Sequence, residues 1–387
     1  VLGDLNADGV LDAVVANASA ALSVFVGRGD GTFGPQAKFT TGAGGNSVQL
    51  GDLDSDSDLD IALVNGSTDD MSVLLNIGNA VFAPQTRVVV GDFPQGLALG
   101  DLDQDGDLDA VVANSGTFPA FEGDLNILRN NGNGTFASQA RLAVSGRPWG
   151  VTLGDVNSDG WLDLVTSHYE IRSTSVRLGQ GDGTFAAEVL YNTGDVGDEV
   201  TLCDLDGDGH DEMRLIYDVF GPESWLSVWR NNGDGTFATL GAGAVTDFPE
   251  DIRCADVDLD GDLDVVLANQ HVTVLYNTGQ WDFPQQAWFA AGAFPSGVGL
   301  GDLDGDGAVD ITVSSWLTND IGVLLNRTIV PGNCPGDLTG DGQVDSGDLA
   351  AFIDAFLLQD PTADLTADGQ VDSGDLSVFI TMFIAGC

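Results

Sequence analysis

The chain has 387 residues, 60 of them acidic and 12 basic, for a formal net charge of −48 at pH 7. That balance excludes nucleic acid as a partner, which would need a basic footprint, and no stretch reaches the ~18 consecutive apolar residues of a membrane span. Hydrophobic residues make up 43% of the chain, which sets it apart from disordered polyanions and leaves the acids concentrated in loops between apolar segments.

In chain order the first element is an acidic loop, Asp4 to Asp12, and copies of it begin at Asp52, Asp101, Asp155, Asp204, Asp256 and Asp302. The clearest copy reads Asp101-Leu-Asp-Gln-Asp-Gly-Asp-Leu-Asp109, with carboxylates at positions 1, 3, 5 and 9 and glycine at position 6. Ca²⁺ takes six to eight hard oxygens at ~2.3–2.6 Å. Alternate residues of a tight loop can all turn inward, position 7 adds a backbone carbonyl, and glycine permits the positive φ of the reversal. One such loop reads equally well as a solvated turn. Seven, at intervals of 46 to 54 residues, do not, and a fixed period near fifty signals a repeat architecture. Val1 falls inside the first repeat with no signal-peptide pattern before it, the expectation for a mature or trimmed chain.

Each repeat predicts four strands. In the third, Gly96 to Leu99 leads into the acidic loop, Leu108 to Ala113 leaves it, and Leu125 to Leu128 follows. A hairpin, Asn131-Gly-Asn-Gly-Thr-Phe136, then turns into Ala140 to Val144. The hairpin recurs at Gly29 to Phe33, Gly181 to Phe185 and Gly233 to Phe237, with weaker versions ending at Phe82 and Phe283. Its Phe is expected to pack between repeats. Short β-rich runs between Gly/Asn/Asp turns argue an all-β fold, and four strands repeated radially make a propeller.

The paired motifs, D-x-[DN]-x-D-G-x-x-D and G-D-G-T-F, resemble the FG-GAP/VCBS repeats of integrin-like β-propellers over residues 1–330. The resemblance implies a seven-bladed all-β propeller whose acidic loops join the first two strands of each blade and bind Ca²⁺. The implied ligands are Asp4, Asn6, Asp8 and Asp12; Asp52, Asp54, Asp56 and Asp60; and Asp101, Asp103, Asp105 and Asp109. They continue with Asp155, Asn157, Asp159 and Asp163; Asp204, Asp206, Asp208 and Glu212; Asp256, Asp258, Asp260 and Asp264; and Asp302, Asp304, Asp306 and Asp310. Two loops depart from the pattern and are expected to be the weakest. The second has Ser57 in the glycine position, costing roughly 1 kcal/mol at positive φ, and the fifth ends in Glu212 beside Asp211.

The seventh repeat has no hairpin signal and no fourth strand after Ile321 to Leu325, and the first lacks most of its opening strand. Such an edge is expected to be covered, either by residues upstream of Val1 or by a strand from a neighbouring molecule. Aromatics in the connections of repeats 3 to 5 (Phe118, Phe121, Trp149, Tyr169, Phe220 and Trp225) are candidates for a protein- or glycan-binding rim, or for local plugs. Cys203 and Cys254 lie one and two residues before the fifth and sixth loops. A disulfide between them is open, and the one-residue difference in phase counts against it because alternate strand residues point to opposite faces.

After a short linker, 331–333, the pattern changes. Two twelve-residue loops, Asp337 to Asp348 and Asp364 to Asp375, have EF-hand spacing and run into apolar-periodic helices, Leu349 to Leu358 and Leu376 to Ile384. Phe352, Phe356, Phe379 and Phe383 should pack the helices together. Residues 334–387 resemble a dockerin, the Ca²⁺-dependent docking module of extracellular assemblies. The implied ligands are Asp337, Thr339, Asp341, Asp345 and Asp348, with Asp364, Thr366, Asp368, Asp372 and Asp375. Ser346 and Ser373, near the loop ends, fall where dockerins recognise partners. Dockerin termini lie close together, so the resemblance also implies a clasping Cys334–Cys387 disulfide.

The functional expectation is a non-catalytic, secreted or cell-surface assembly protein stabilised by about nine Ca²⁺. Its dockerin-like module would dock to another protein or to a second copy, giving an oligomer, filament or tube. The alternative is a monomeric adhesion or glycan-binding propeller. A carbohydrate-active enzyme is least supported, because the three histidines, His168, His210 and His271, fall in no catalytic or metal motif. Asn17, Asn65, Asn133 and Asn326 head N-glycosylation sequons.

Overall fold

A computed structural model describes residues 1–117, 122–137, 140–193, 196–218, 224–245, 249–279, 283–292, 294–315, 320–328, 346–358, 363, 365, 370–371 and 375–380. The chain forms two compact units, one of residues 1–303 with 309–325 and one of 304–308 with 326–387.

The first unit is all-β and propeller-like. Its strands form antiparallel sheets in chain order, six of four strands and one of three among the described residues. The third sheet shows the common plan: Pro94–Gly100, Asp109–Asn114, Asp124–Leu128 and Ala140–Ala143. The acidic loop joins the first two strands, as expected. The second and third strands are buried on both faces, and the outer strand is mostly exposed. Repeat 1 opens with a two-residue strand, Leu2–Gly3, and the sheet of repeat 7 ends at Asp320–Leu324. A central cavity of about 550 Å³ is lined by all seven sheets, through residues such as Val15, Gln49, Leu97, Thr152, Thr201, Arg253 and Val298.

Neighbouring sheets stack face to face through apolar clusters. Phe82 of the second sheet packs with Leu22, Val24 and Phe39 of the first. Phe136 and Phe237 likewise pack on the preceding sheet. The hairpin Phe is therefore an inter-sheet wedge.

The last residue of each first strand is usually glycine, because a side chain from the next sheet fills the space. A Cβ added at Gly3 would stand 2.7 Å from Leu50, one at Gly154 2.7 Å from Leu202, and one at Gly301 2.4 Å from Leu11. At the junction of sheets 5 and 6 this small-residue and leucine pair is replaced by a disulfide, Cys203–Cys254, with Cα atoms 6.6 Å apart. This corrects the phase argument. Facing sheets present opposite faces to one another, so residues that meet across the junction must differ by one in register. Cys203 pairs with Glu212 in its sheet, whereas Ala255, one residue after Cys254, pairs with Asp264.

Asn65 is buried, and its amide donates to Asp70 and Ser72. Its sequon is therefore closed to glycosylation in the folded chain.

The second unit is described chiefly by its helix, Ser346–Leu358, and a helical segment at 375–380. Phe352 and Phe379 are buried and stack at 4.3 Å, with Phe356 at 5.6 Å from Phe352. The expected aromatic packing is thus present for these three; Phe383, Cys334 and Cys387 lie outside the described residues.

The Cys203–Cys254 bond closes a loop of 51 residues, for which loop entropy gives about 4 kcal/mol. Reductant should lower the melting temperature of the native chain. It should leave the propeller transition of a Cys203→Gly/Cys254→Leu variant unchanged, because that variant has no disulfide between the two sheets and its residues restore the packing of the other junctions. Scanning calorimetry with and without reductant checks this.

Candidate metal centres

Each acidic loop is held by its own carboxylates. The position-1 acid accepts the N–H of position 6: Gly9 donates to Asp4, Gly106 to Asp101, Gly160 to Asp155 and Gly261 to Asp256, at 2.8–3.0 Å. The position-5 acid accepts from position 7, as Asp107 N–H does to Asp105 and Asp262 N–H to Asp260. Position 6 has positive φ, including Ser57 at 76°, so the strain expected of that serine is present. Position 4 is left-handed as well, at Ala7, Ser55, Gln104, Ser158, Gly207, Leu259 and Gly305. That second reversal was not read from the sequence, because only two of the seven residues are glycine.

The position-9 acid has a distinct role. Asp12, Asp60, Asp109, Asp163, Glu212, Asp264 and Asp310 are at most 1% exposed. Asp60 accepts the N–H of Leu53 at 2.9 Å and of Asn76 at 2.7 Å, clamping the loop start to the end of the third strand. Asp163 and Asp264 make the same pair of bonds. Glu212 also makes them, to Leu205 and Asn231, so the longer side chain occupies the same place.

Burial raises the position-9 acids of loops 1 to 6 above the usual carboxylate range, and neighbouring loop acids add to this. Asp60, Asp109, Asp163 and Asp264 are pushed to about 6 and Glu212 to about 7. At position 3, burial first and then neighbouring carboxylates raise Asp54 and Asp258.

The loops fit a hard divalent cation. In five of them carboxylate oxygens lie within 4.8 Å of one another: Asp52, Asp54 and Asp60; Asp101, Asp103 and Asp105; Asp204, Asp206 and Glu212; Asp256, Asp258 and Asp260; Asp302, Asp304 and Asp306. One oxygen on each of Asp54, Asp101, Asp103, Asp256 and Asp304 is buried with no hydrogen-bond partner, and all belong to position 1 or 3. Such oxygens are costly unless something coordinates them. Loops 1 and 4 carry Asn6 and Asn157 at position 3; Asp8 N–H donates to Asn6 Oδ1, and Asn157 donates to Asp159.

Of the dockerin-like ligands, Asp348 and Asp375 are buried. Asp337, Thr339, Asp341, Asp345, Asp364, Thr366, Asp368 and Asp372 lie outside the described residues, as do Ser373 and the side chain of Ser346. Of the rim aromatics, Phe118, Phe121, Phe220 and the side chain of Trp225 also lie outside. Trp149 and Tyr169 stack on each other at 5.2 Å, with the Arg147 guanidinium 5.5 Å from both rings. His168 is buried, bonds Ser175 at 2.8 Å, and is lowered by burial to about 4.

Residues 4–63, 101–166 and 256–313 match the family described as FG-GAP-like repeat, and residues 335–383 match the dockerin type I domain. The chain is a β-propeller-like domain, three stretches of which match FG-GAP-like repeats, followed by a small helical region that overlaps the dockerin match. No curated protein matches it. Among solved structures it is similar to BBS1N in complex with ARL6DN, at 11% identity, covering 85% of this chain and 92% of that one, with a TM-score of 0.55. It is also similar to a functionally unknown protein from Desulfotomaculum acetoxidans DSM 771, at 12% identity, 82% and 93% coverage and a TM-score of 0.53. A 6-phosphogluconolactonase candidate from Bacteroides uniformis ATCC 8492 matches at 14%, with 76% and 86% coverage and a TM-score of 0.56. These likenesses establish the fold alone. No helix among the described residues is long and apolar enough to cross a membrane.

Two predictions follow from the clamp. An acid whose pKa is raised by folding takes up protons as the chain folds, so stability falls as pH rises between the unfolded and folded values. For the position-9 acids that window runs from about 4 to about 6, and to about 7 for Glu212. His168, lowered to about 4, opposes them as a single group. In EDTA the protein should therefore melt higher at pH 5 than at pH 7.5. Ca²⁺, which needs ionised ligands, should reverse that order. Second, Asp109→Ala should destabilise the chain in EDTA by roughly 2–6 kcal/mol, because two buried N–H groups lose their acceptor at about 1–3 kcal/mol each. Asp105→Ala, which loses one solvent-exposed loop hydrogen bond, should cost little in EDTA and matter chiefly when Ca²⁺ is present. Urea titrations in both buffers separate the two.

Proposed function

We propose that this chain is a secreted, non-catalytic assembly subunit: a seven-bladed propeller made rigid by Ca²⁺, with a dockerin-like module that docks to another protein or another copy. The observation that carries the metal reading is the set of buried, unpartnered carboxylate oxygens at positions 1 and 3. Seven propeller loops and two dockerin-like loops give about nine Ca²⁺, with the ligands assigned above by motif. A site filled at tenfold over its Kd adds roughly 1.4 kcal/mol. Seven such sites add on the order of 10 kcal/mol, comparable to a whole domain's stability.

The cations are structural in this reading. The loops draw their oxygens from a tight acidic turn, and the acid at position 9 is committed to backbone N–H groups rather than to proton transfer. The histidines support no catalytic arrangement either: His168 is buried in a blade and bonded to a buried serine. Secretion is supported by the disulfide between blades, since such bonds persist in oxidising compartments. The docking role rests on the dockerin type I match. A head-to-tail contact between copies would be heterologous and could propagate as a fibre or tube.

The second reading, a monomeric adhesion or glycan-binding propeller, rests on the aromatic rim. Trp149 and Tyr169 form a stacked pair there.

Electron microscopy of the Ca²⁺-loaded chain, beside an Asp348→Ala/Asp375→Ala variant, tests this. Ordered polymers or partner-bound assemblies from the native chain only, dissolved by EDTA, are expected. Single propellers from both would move the assignment to the monomeric reading.

A further inference from the structure

The third and sixth loops carry the same five acids: Asp101, Asp103, Asp105, Asp107 and Asp109, and Asp256, Asp258, Asp260, Asp262 and Asp264. They differ in what stands beside them. Asn130 and Asn277 donate their N–H to the two position-9 acids, so the residues just before them, Arg129 and Tyr276, hold equivalent places. Val26, Leu75 and Leu178 fill that place in repeats 1, 2 and 4. In repeats 2 and 4 that side chain packs under the next hairpin: a Cβ added at Gly134 would meet Leu75 at 2.5 Å, and one at Gly235 would meet Leu178 at 2.7 Å. Arg129 lies under Gly183 in the same way. Its guanidinium also donates to Asp103 Oδ2 on one side and to the Asp182 carbonyl of the next hairpin on the other.

We propose that Arg129 sets the cation affinity of the third loop, resting on the Ca²⁺ reading above. Asp103 presents one oxygen to the guanidinium and one buried, unpartnered oxygen to the loop. The position-3 acid is therefore shared between a fixed cation and the metal. The fixed charge repels a divalent ion in the loop and draws electron density from its ligand, both of which weaken binding. In the metal-free chain the same charge offsets the repulsion among five carboxylates and ties the loop to the next sheet. The third loop would then hold its shape without Ca²⁺ and fill after the sixth, which has Tyr276 in that place. The seventh loop has a related arrangement, in which Arg327 contacts Asp304 at 2.7 Å. In the fifth, Arg230 stands 3.9 Å from Asp208 on an exposed side chain, where the effect is screened.

The test is native mass spectrometry of the full chain across buffered free Ca²⁺, comparing wild type, Arg129→Leu and Tyr276→Arg. The leucine is the residue that repeats 2 and 4 already use. In Arg129→Leu one ion should bind at roughly tenfold lower free Ca²⁺, and in Tyr276→Arg one ion should need roughly tenfold more. Arg129→Gln, neutral and close in shape, provides the same readout if the leucine variant does not fold. Neutral variants that fill at the wild-type concentration overturn the proposal. Wild type that binds no Ca²⁺ at the propeller loops would instead overturn the reading on which it rests.

Discussion

The structure depends on the backbone of one residue, that at loop position 2. Its N–H points into its own sheet and its carbonyl into the next. Leu53 N–H donates to Asp60, while Leu53 O accepts from Gly134 N–H at 2.7 Å and from the Asn130 amide at 2.8 Å. Val156 does the same between Asp163, Gly235 and Asn231, and Leu5 between Asp12, Ala80 and Asn76. Leu303 O accepts Gly31 N–H at 3.0 Å, so the last sheet is latched to the first by the same bond. The side chains of Leu5, Leu53, Val156 and Leu303 are buried, which holds that residue's backbone in place. Ring closure therefore does not depend on the short strand Leu2–Gly3 alone.

Position 2 sits between the first two acids of each loop, so the latch and the candidate cation site share a backbone. The acids are destabilising by themselves. A chain with a net charge of −48 repels itself when compact, and burial makes the position-9 carboxylates costly to ionise. Hydrogen bonds from two N–H groups offset part of that cost, and a divalent ion would offset the repulsion among the rest. Folding, protonation and the binding of any cation in these loops would consequently be linked through the same turns.

Much of this was legible. Seven loops at a near-fixed interval predicted the repeat, and the D-x-[DN]-x-D-G pattern placed each loop between the first two strands. G-D-G-T-F placed the hairpin and its Phe. What escaped has a physical reason in each case. The left-handed residue at position 4 is Ala7, Ser55, Gln104 or Leu259 as readily as Gly207, so its side chain gives no signal. The position-2 latch is made by backbone atoms, which every residue carries. The Cys203–Cys254 register was misjudged because parity was compared within a strand, whereas the relevant comparison is between opposed faces of two sheets. The position-9 acid was read only as a ligand, since a motif does not reveal that its carboxylate also closes two backbone bonds.

Repetition makes single differences informative. At six junctions a shared packing problem is solved by glycine or alanine against a larger side chain, and at one by two cysteines. At six position-9 sites the acid is Asp, and at one Glu212 reaches the same two N–H groups. These substitutions keep the geometry and change its chemistry. Arg129 belongs with them. It fills the space that Leu75 and Leu178 fill elsewhere, yet it brings a fixed positive charge to Asp103. A residue needed only for packing would have no reason to bear a charge at that place. One whose charge offsets neighbouring carboxylates, while its stem still packs, does. In a ring of near-identical sites, such exchanges are the means by which one loop can come to differ from its neighbours without disturbing the latch that joins them.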